Sequence, residues 1–205
     1  MEVLVFDTET TGYWNNNLSL NDPCQGTIIQ LGFQFFDGNR KCQFELNSLL
    51  YPSIANLQCH EKAYETHHIP IEDCYKCGVD QSSILSIFHS FVKRCDVIVA
   101  HNSDFDITMI KNQYRRNGML EEVKLLETKL IIDTMKPATP IVKALPIRGG
   151  HYKWPKLEEC VKFFFNESME GAHEALTDVK YCAKVFFELF DMGIYKIPLN
   201  EKSTV

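Results

Sequence analysis

The amino-acid sequence predicts an α/β fold in which helices cover both faces of a mixed five-stranded sheet. Three segments in the first quarter of the chain are rich in the apolar and aromatic residues that strands favour. A "DGN" turn between the second and third segments indicates a hairpin. From residue 81 onward, segments with helical periodicity alternate with short apolar runs. Hairpin strands followed by such alternation are typical of a mixed sheet between two layers of helices.

The first half of the chain begins with the strands. We predict strands at 2–8, 27–36 and 42–50, with the polar run "YWNNNLSLNDPCQG" as a loop after the first. Helices are predicted at 57–67 and 81–94, because both segments carry apolar residues at helical spacing. Asp80 has the side chain of an N-cap for the second helix.

In the second half of the chain, predicted strands alternate with predicted helices. A buried strand at 96–101 leads into a helix that ends before Gly118, and "KLIIDTM" predicts the last strand. A loop rich in Pro, Gly and Lys spans 136–153. Pro155 suits the first turn of a helix that runs to Phe165, and a final helix runs from Ala175 to Met192.

Length and composition predict one globular domain. The chain has 205 residues, of which 45% are hydrophobic and 23% are charged. The N-terminus does not resemble a signal peptide, and no apolar run approaches the roughly 18 residues of a membrane span. We therefore expect a soluble, cytoplasmic protein, whose eight cysteines are reduced thiols.

Charge is distributed unevenly along the chain. The net charge of −6 argues against a protein covered in basic patches. Residues 93–156, however, carry 12 Lys and Arg against 7 Asp and Glu. This basic segment is either a solvated surface or a guide for a phosphate backbone, and it includes Lys111, Arg115, Arg116, Lys143, Arg148, Lys153 and Lys156.

Two acids stand at the end of the first strand. Asp7 and Glu9 follow the apolar run "VLVF", and side chains at i and i+2 of a strand point the same way. Two neighbouring carboxylates at the carboxyl end of a strand are stabilised most simply by a hard divalent cation. The alternative is an exposed turn with incidental acids, since "DTETTG" also has turn character.

Two later segments favour the metal site. "VIVAHNSDFD" places Asp106 at a helix start directly after a buried strand. "GAHEALTDV" places His173 and Asp178 at the front of the last helix. Five residues of helix correspond to about 500° of rotation, so His173 would be roughly 140° away from Asp178 on a continuous helix. We therefore expect His173 at or before the helix start, reaching over the site from the side.

The order D-x-E, HN-x-x-FD and H-x4-D resembles the motif pattern of the DEDDh 3′→5′ exonucleases, over residues 2–190. The chain is similar to the epsilon-type proofreading exonucleases of bacterial replicative DNA polymerases. The tyrosine branch of the family would have Tyr at position 174, where this chain has Glu174. The resemblance implies a ribonuclease H-like fold, with a single exonuclease domain over 1–193 and a short tail over 194–205.

The resemblance also implies a two-metal mechanism. Asp7, Glu9 and Asp178 would bind the first Mg²⁺ or Mn²⁺, and Asp7 would bridge to a second ion near Asp106. Two ions about 4 Å apart can activate a water and stabilise the leaving oxygen. His173 would act as the general base.

Four further residues are predicted to contact the substrate: Thr10, His67, Asn102 and Phe105. Phe105 is a candidate for stacking on the terminal base, although a core position is an equal alternative. His67 stands in "ETHHIP", which resembles the H-G-I segment of the family. His68 replaces the usual glycine, which makes the role of His67 less secure.

The predicted function is metal-dependent hydrolysis of single-stranded DNA from the 3′ end, releasing nucleoside 5′-monophosphates. The alternatives are a 3′→5′ exoribonuclease of the oligoribonuclease type and a non-catalytic module that binds nucleic acid in the same groove. A DNA polymerase or another replication or repair protein is a candidate partner, and we expect no membrane.

Three other motifs have more than one interpretation. Cys74 and Cys77 form a C-x2-C that could bind zinc, although no second C-x2-C follows and reduced cysteines in a loop are the better interpretation. "QSSILSIF" resembles a sliding-clamp peptide, but its apolar residues also fit a helix face packed on the sheet. Trp154 could contact nucleic acid or dock the helix that follows it.

Overall fold

A computed structural model describes residues 1–147 and 149–197, so Arg148 and residues 198–205 of the predicted tail lie outside the described residues. The main sheet has the order β4-β3-β2-β1-β5-β6. Its strands are β1 (Val3–Thr10), β2 (Ile28–Phe36), β3 (Cys42–Tyr51), β4 (Val79–Asp80), β5 (Val97–Ala100) and β6 (Leu130–Asp133). The first three strands are antiparallel, whereas β5 runs parallel to both β1 and β6.

The α/β class and the mixed sheet are confirmed. Five strands fall where the sequence predicts them, and the sixth is the two-residue β4 at the edge. Such a short strand has no sequence pattern of its own, because two residues cannot show alternation.

Eight helices surround the sheet in the described part of the chain. They are α1 (Glu61–His67), α2 (Ile71–Cys77), α3 (Gln81–Arg94), α4 (Ser103–Arg116), α5 (Leu120–Glu127), α6 (Met135–Val142), α7 (Leu157–Phe165) and α8 (Ala175–Asp191). None of the described helices has the length and apolar character needed to span a membrane.

Alternate residues of β1 pack against different helical layers. Leu4 and Phe6 share one apolar cluster with Phe88 of α3. Val3 and Val5 share a second cluster with α8. Since Asp7 and Glu9 continue the Val3–Val5 face, the alternation directs both acids towards α8.

Several predicted boundaries were wrong. The helix predicted over 57–67 begins only at Glu61, and α2 and α5 were not predicted. The predicted 136–153 loop contains most of α6 and a hairpin of β7 (Pro146–Ile147) and β8 (His151–Tyr152). Pro140 lies inside α6, which is why the segment was interpreted as a loop. Pro155 precedes α7 rather than opening it.

The weaker motifs also have clear positions. Within "QSSILSIF", Ile84, Leu85 and Phe88 are buried in the α3 interface, as a core face requires. Cys74 and Cys77 lie on α2 rather than in a loop; Cys74 is buried, whereas Cys77 is exposed. In the described part of the chain, the one cluster of potential metal ligands contains no cysteine.

Candidate active site

The floor of the site is built by β1 and the first turn of α8. Gly32 of β2 pairs directly with Asp7, and a Cβ at Gly32 would lie 2.6 Å from the backbone carbon of Ala175. The backbone N–H of Ala175 also donates to Oε1 of Gln30 at 3.1 Å. The start of α8 therefore rests on bare backbone beside Asp7, and this close approach brings Asp178 to the acids of β1.

Asp106 is held in place by hydrogen bonds from Thr8 of β1. It lies in the first turn of α4 and is 3% exposed. Its Oδ1 accepts hydrogen bonds from the backbone N–H of Thr8 at 3.1 Å and from the Thr8 hydroxyl at 2.7 Å. Because Thr8 binds Oδ1, the orientation of the Asp106 carboxylate is fixed before any ligand arrives.

Burial raises the pKa of all four carboxyl groups, and the neighbouring acids of the cluster add to this for Asp7 and Glu9. Burial and the neighbouring charges of Asp106, Glu9 and Asp178 raise the pKa of Asp7 well above its usual value. Burial, together with Asp178 and Asp106, raises the pKa of Glu9 to about 8. Burial raises the pKa of Asp106 to about 7, against the hydrogen bonds from Thr8 that lower it.

The pKa of Asp178 is raised less than the pKa values of the other three acids. Burial raises its pKa to about 6, while the backbone N–H of His173 donates to its Oδ1 at 3.3 Å and favours the charged form. Among the described residues, the charges that act most on Asp7 are all carboxylates. Such a cluster is the chemistry of a cation site.

His173 precedes α8, as helical geometry predicts. Its backbone is left-handed, with φ of 69°, and its side chain is exposed at the edge of the site. One ligand atom each from Glu9, His173 and Asp178 lie within 4.8 Å of one another. A non-glycine residue in this conformation costs about 1–2 kcal/mol, which indicates that the surrounding structure holds His173 in place.

A cleft of about 860 Å³ opens over these residues. Asp7, Glu9, Asp106 and Asp178 line it together with His173 and two predicted substrate contacts, Asn102 and Phe105. Asn102 has a left-handed backbone, and its N–H donates to Oδ1 of Asp133 at 2.9 Å. Phe105 is half-buried and presents its ring edge-on to Tyr13 with centroids 5.4 Å apart, so it is both a core and a cleft residue.

A second cleft of about 1020 Å³ adjoins the first and shares Glu9, Tyr13 and Phe105 with it. The other predicted contacts, Thr10 and His67, line this second cleft. Both are buried. The nine predicted site residues therefore lie along two adjoining clefts rather than at a single point.

His68 explains how the chain departs from the H-G-I pattern without losing His67. It occupies the left-handed C-cap of α1, with φ of 55°, and its N–H donates to the carbonyl of Tyr64 at 2.8 Å. Glycine is favoured at that position because it has no Cβ. His67 remains buried, and its Nδ1 accepts from the N–H of Ile69 at 2.9 Å.

The cationic residues of the basic segment do not all lie at the cleft. Of its described predicted members, only Lys153 and Lys156 line the cleft. Lys111 pairs with Glu127 at 3.2 Å, and Arg116 donates to the carbonyl of Leu20 at 2.8 Å and so anchors the loop after β1. Arg148 lies outside the described residues. The charge of a sequence segment thus overstated the basic surface at the site.

Sequence reasoning missed the residues that support the site. Thr8 lies between the two acids and has no motif of its own, and Tyr13 lies in the predicted loop after β1. His101 bonds the Thr134 hydroxyl at 2.8 Å and the Pro155 carbonyl at 3.0 Å. Asp133 accepts from the N–H groups that open α4 and α6. Asp133 at a strand end and His101 in the HN-x-x-FD motif were the residues with a signal in the sequence.

Comparisons with known proteins agree with this geometry. The model of a family described as exonuclease matches residues 4–186. DNA polymerase III PolC-type from Caldanaerobacter subterraneus subsp. tengcongensis is 26% identical over 190 residues, which cover 93% of this chain and 12% of that protein.

Solved structures share the fold. E. coli Exonuclease I in complex with a dT13 oligonucleotide matches with a TM-score of 0.67 at 16% identity, over 93% of this chain and 43% of that chain. The zinc-bound form of the E. coli Exonuclease I complex with single-stranded DNA matches with a TM-score of 0.67 at 18% identity, over the same shares of the two chains. This chain therefore spans less than half the length of these relatives. The family match, the ribonuclease H-like fold and the order of the acidic motifs together show that the chain belongs to the exonuclease family, in its DEDDh group.

Proposed function

We propose that this domain removes nucleoside 5′-monophosphates from the 3′ end of single-stranded DNA, with two Mg²⁺ or Mn²⁺ ions at its carboxylate cluster. The observation that carries the proposal is the convergence of Asp7, Glu9, Asp106 and Asp178 from three elements on one cleft. Repulsion among these carboxylates does not stabilise the fold. Divalent cations bound between them would offset that repulsion.

The residues present fit such ions. All four are carboxylates, the oxygen ligands that Mg²⁺ and Mn²⁺ prefer. Burial is the largest cause of the raised pKa of each, and bound cations would compensate the cost of the buried charges. Oδ1 of Asp106 is engaged by Thr8, so Oδ2 is the oxygen better placed for a ligand.

Each residue then has a chemical role. Asp7, Glu9 and Asp178 would hold one ion, with Asp7 and Asp106 serving the second. When bound, the ions supply activation of the attacking water and stabilisation of the leaving oxygen. A ring nitrogen of His173 accepts the proton of that water, and its exposed position lets it pass the proton to solvent.

The substrate is proposed from the cleft and from the relatives. Phe105 and Asn102 offer a ring face and an amide beside the acids, which suit an unpaired nucleotide. Exonuclease I, which shares the fold, is seen with single-stranded DNA. An exoribonuclease is the second candidate, because nothing in the cleft assigns a group to the 2′-hydroxyl.

A polymerase is the proposed partner. The support is that the similar segment of the PolC-type protein is 12% of a DNA polymerase chain. A domain that trims 3′ ends beside a polymerase would act on the strand that the polymerase extends.

The test uses 5′-labelled single-stranded DNA and a matched RNA, with Mg²⁺, with Mn²⁺ or with EDTA. We expect a metal-dependent ladder that shortens from the 3′ end, faster on DNA. Asp7→Ala should lower the rate by about 10³-fold or more, because metal stabilisation contributes several kcal/mol to the transition state. The matched control is Glu121→Gln, an exposed acid of α5, which should leave the rate unchanged.

Two results would contradict the proposal. Nuclease activity retained in Asp7→Ala would overturn the assignment of the site. Binding without shortening under any metal would favour the non-catalytic module instead.

A further inference from the structure

We propose that Trp154 is a stacking platform for a base of the bound strand, on the wall of the cleft formed by the segment between β8 and α7. This inference rests on the proposed function and names how the domain would select unpaired strands. It concerns a residue outside the acidic motifs.

The backbone of Trp154 is fixed on both sides. The N–H of Lys153 donates to the carbonyl of Leu145 at 2.8 Å, which ties the segment to the β7–β8 hairpin. The carbonyl of Pro155 lies 3.0 Å from Nε2 of His101 at the end of β5. These two bonds fix the backbone on either side of Trp154, and so fix the point of the cleft wall from which the indole projects.

The indole itself is not part of the core. Trp154 is 58% exposed, whereas the adjacent Pro155 is buried and makes the contact with the body of the protein. No aromatic ring pair among the described residues includes Trp154, although most Trp side chains in proteins are largely buried. Pro155 therefore docks the segment, and the indole is left facing the cleft that contains Asp7 and Asp106.

One cationic group lies near the ring, and two more line the same cleft. Nζ of Lys136 lies 6.0 Å from the ring centroid and also pairs with Asp104 at 2.5 Å. Lys153 and Lys156 flank Trp154 in the chain and line the same cleft. Lys153 and Lys156 pair with Glu159 at 3.5 Å and Glu158 at 3.2 Å, on exposed side chains that phosphates can reach. An exposed ring in a cleft with ammonium groups suits unpaired nucleic acid, because a base stacks on the ring while phosphates meet the lysines.

Duplex DNA does not suit this surface. Bases in the interior of a duplex are stacked on both faces, so only an unpaired segment can place an inner base on the indole. Trp154 would therefore favour unpaired strands over duplex DNA in addition to contributing affinity.

The test measures binding and turnover separately. Base stacking contributes about 1–3 kcal/mol per base, so Trp154→Ala should weaken binding of single-stranded DNA about 5- to 150-fold, measured by anisotropy in an Asp7→Ala background without turnover. Trp154→Phe should keep most of the affinity. The matched control is Phe163→Ala, which removes a 53% exposed ring of α7 outside the cleft.

Two further readouts distinguish stacking from a structural role. A single abasic nucleotide is placed at successive positions near the 3′ end. At one of these positions it should weaken binding to the wild type. At the same position it should weaken binding to Trp154→Ala by little more. With Trp14, the other tryptophan, replaced by Phe, strand binding should quench the Trp154 fluorescence. Melting curves of the variants show that the fold is intact.

The outcomes separate the two proposals. If strands bind and quench Trp154 but are never shortened, the proposed function fails and the stacking inference stands. If strands are shortened and Trp154→Ala binds them as tightly as the wild type, or shows the same abasic penalty, the stacking inference is overturned and the function stands.

Discussion

Gly32→Ala should damage the active site without touching a catalytic group. The added Cβ would lie 2.6 Å from the backbone of Ala175 and Leu176, whereas ordinary contact begins near 3.4 Å. The start of α8 must therefore move away by about 0.8 Å, and Asp178 moves with it. Misplacing a catalytic group by about 1 Å costs about 10²-fold in rate. Overpacking also destabilises a fold by about 1–3 kcal/mol, equivalent to about 2–12 °C in Tm for a chain of this size.

Nuclease kinetics at saturating Mn²⁺, well below the Tm of the variant, measure this displacement. The matched control is Gly38→Ala, where the nearest atom to the added Cβ is 3.5 Å away and no strain is expected. We expect Gly32→Ala to lose about 10²-fold in kcat while Gly38→Ala stays close to wild type. A Gly32→Ala variant with unchanged kcat and Tm would refute the view that bare backbone beside Asp7 positions α8.

Three further predictions concern the cluster and its support. Thr8→Val removes the 2.7 Å hydrogen bond to Asp106, so Mn²⁺ affinity in calorimetry should fall about 10- to 100-fold; an unchanged affinity would contradict the orienting role of Thr8. The pKa values of about 8 for Glu9 and about 7 for Asp106 are raised, so the metal-free fold binds more protons than the unfolded chain between about pH 4 and pH 8. The stability that Glu9 and Asp106 contribute to the metal-free fold is therefore fully present below about pH 4 and lost as pH rises through pH 8, and saturating Mg²⁺ should abolish this loss; a difference in Tm between saturating Mg²⁺ and EDTA that does not widen across this range would contradict it. His68→Gly relieves a left-handed residue at some cost in unfolded-chain entropy, so the free energy of unfolding should rise by less than about 1 kcal/mol in urea titrations, and a decrease would show that the His68 side chain is stabilising.

Much of the site could be predicted because its chemistry is local in sequence. Asp7 and Glu9 follow a buried strand, and strand alternation alone puts them on one face. The rotation of a helix likewise places His173 before α8 rather than on it. These inferences need only backbone geometry, and the structure confirms both positions.

The supporting residues could not be predicted because their partners are distant in the chain. Thr8 and Asp106 are 98 residues apart, and His101 reaches Pro155 across 54 residues. The sequence also cannot show that Arg116 anchors a loop, or that Lys111 pairs with Glu127, so the charge of the middle segment overestimates the basic charge at the cleft. Burial and pairing decide these roles, and both arise only from tertiary packing.

The predicted bounds of the loop over 136–153 were wrong for a local reason. Pro140 argued against a helix, yet α6 tolerates it, with a hydrophobic face that packs Ala138 into the core. Tertiary contact there outweighs the roughly 3 kcal/mol propensity of proline.

Counting bound Mn²⁺ at pH 8.5 tests the central claim most directly, since protons compete less with the metal for the raised carboxyl groups as pH rises. Electron paramagnetic resonance or calorimetry on the wild type and on Asp7→Ala, in the presence of a nucleoside 5′-monophosphate, gives the stoichiometry. We predict two ions for the wild type and at most one for Asp7→Ala. A folded wild type that binds no Mn²⁺ would contradict the assignment of the four carboxylates as a metal centre.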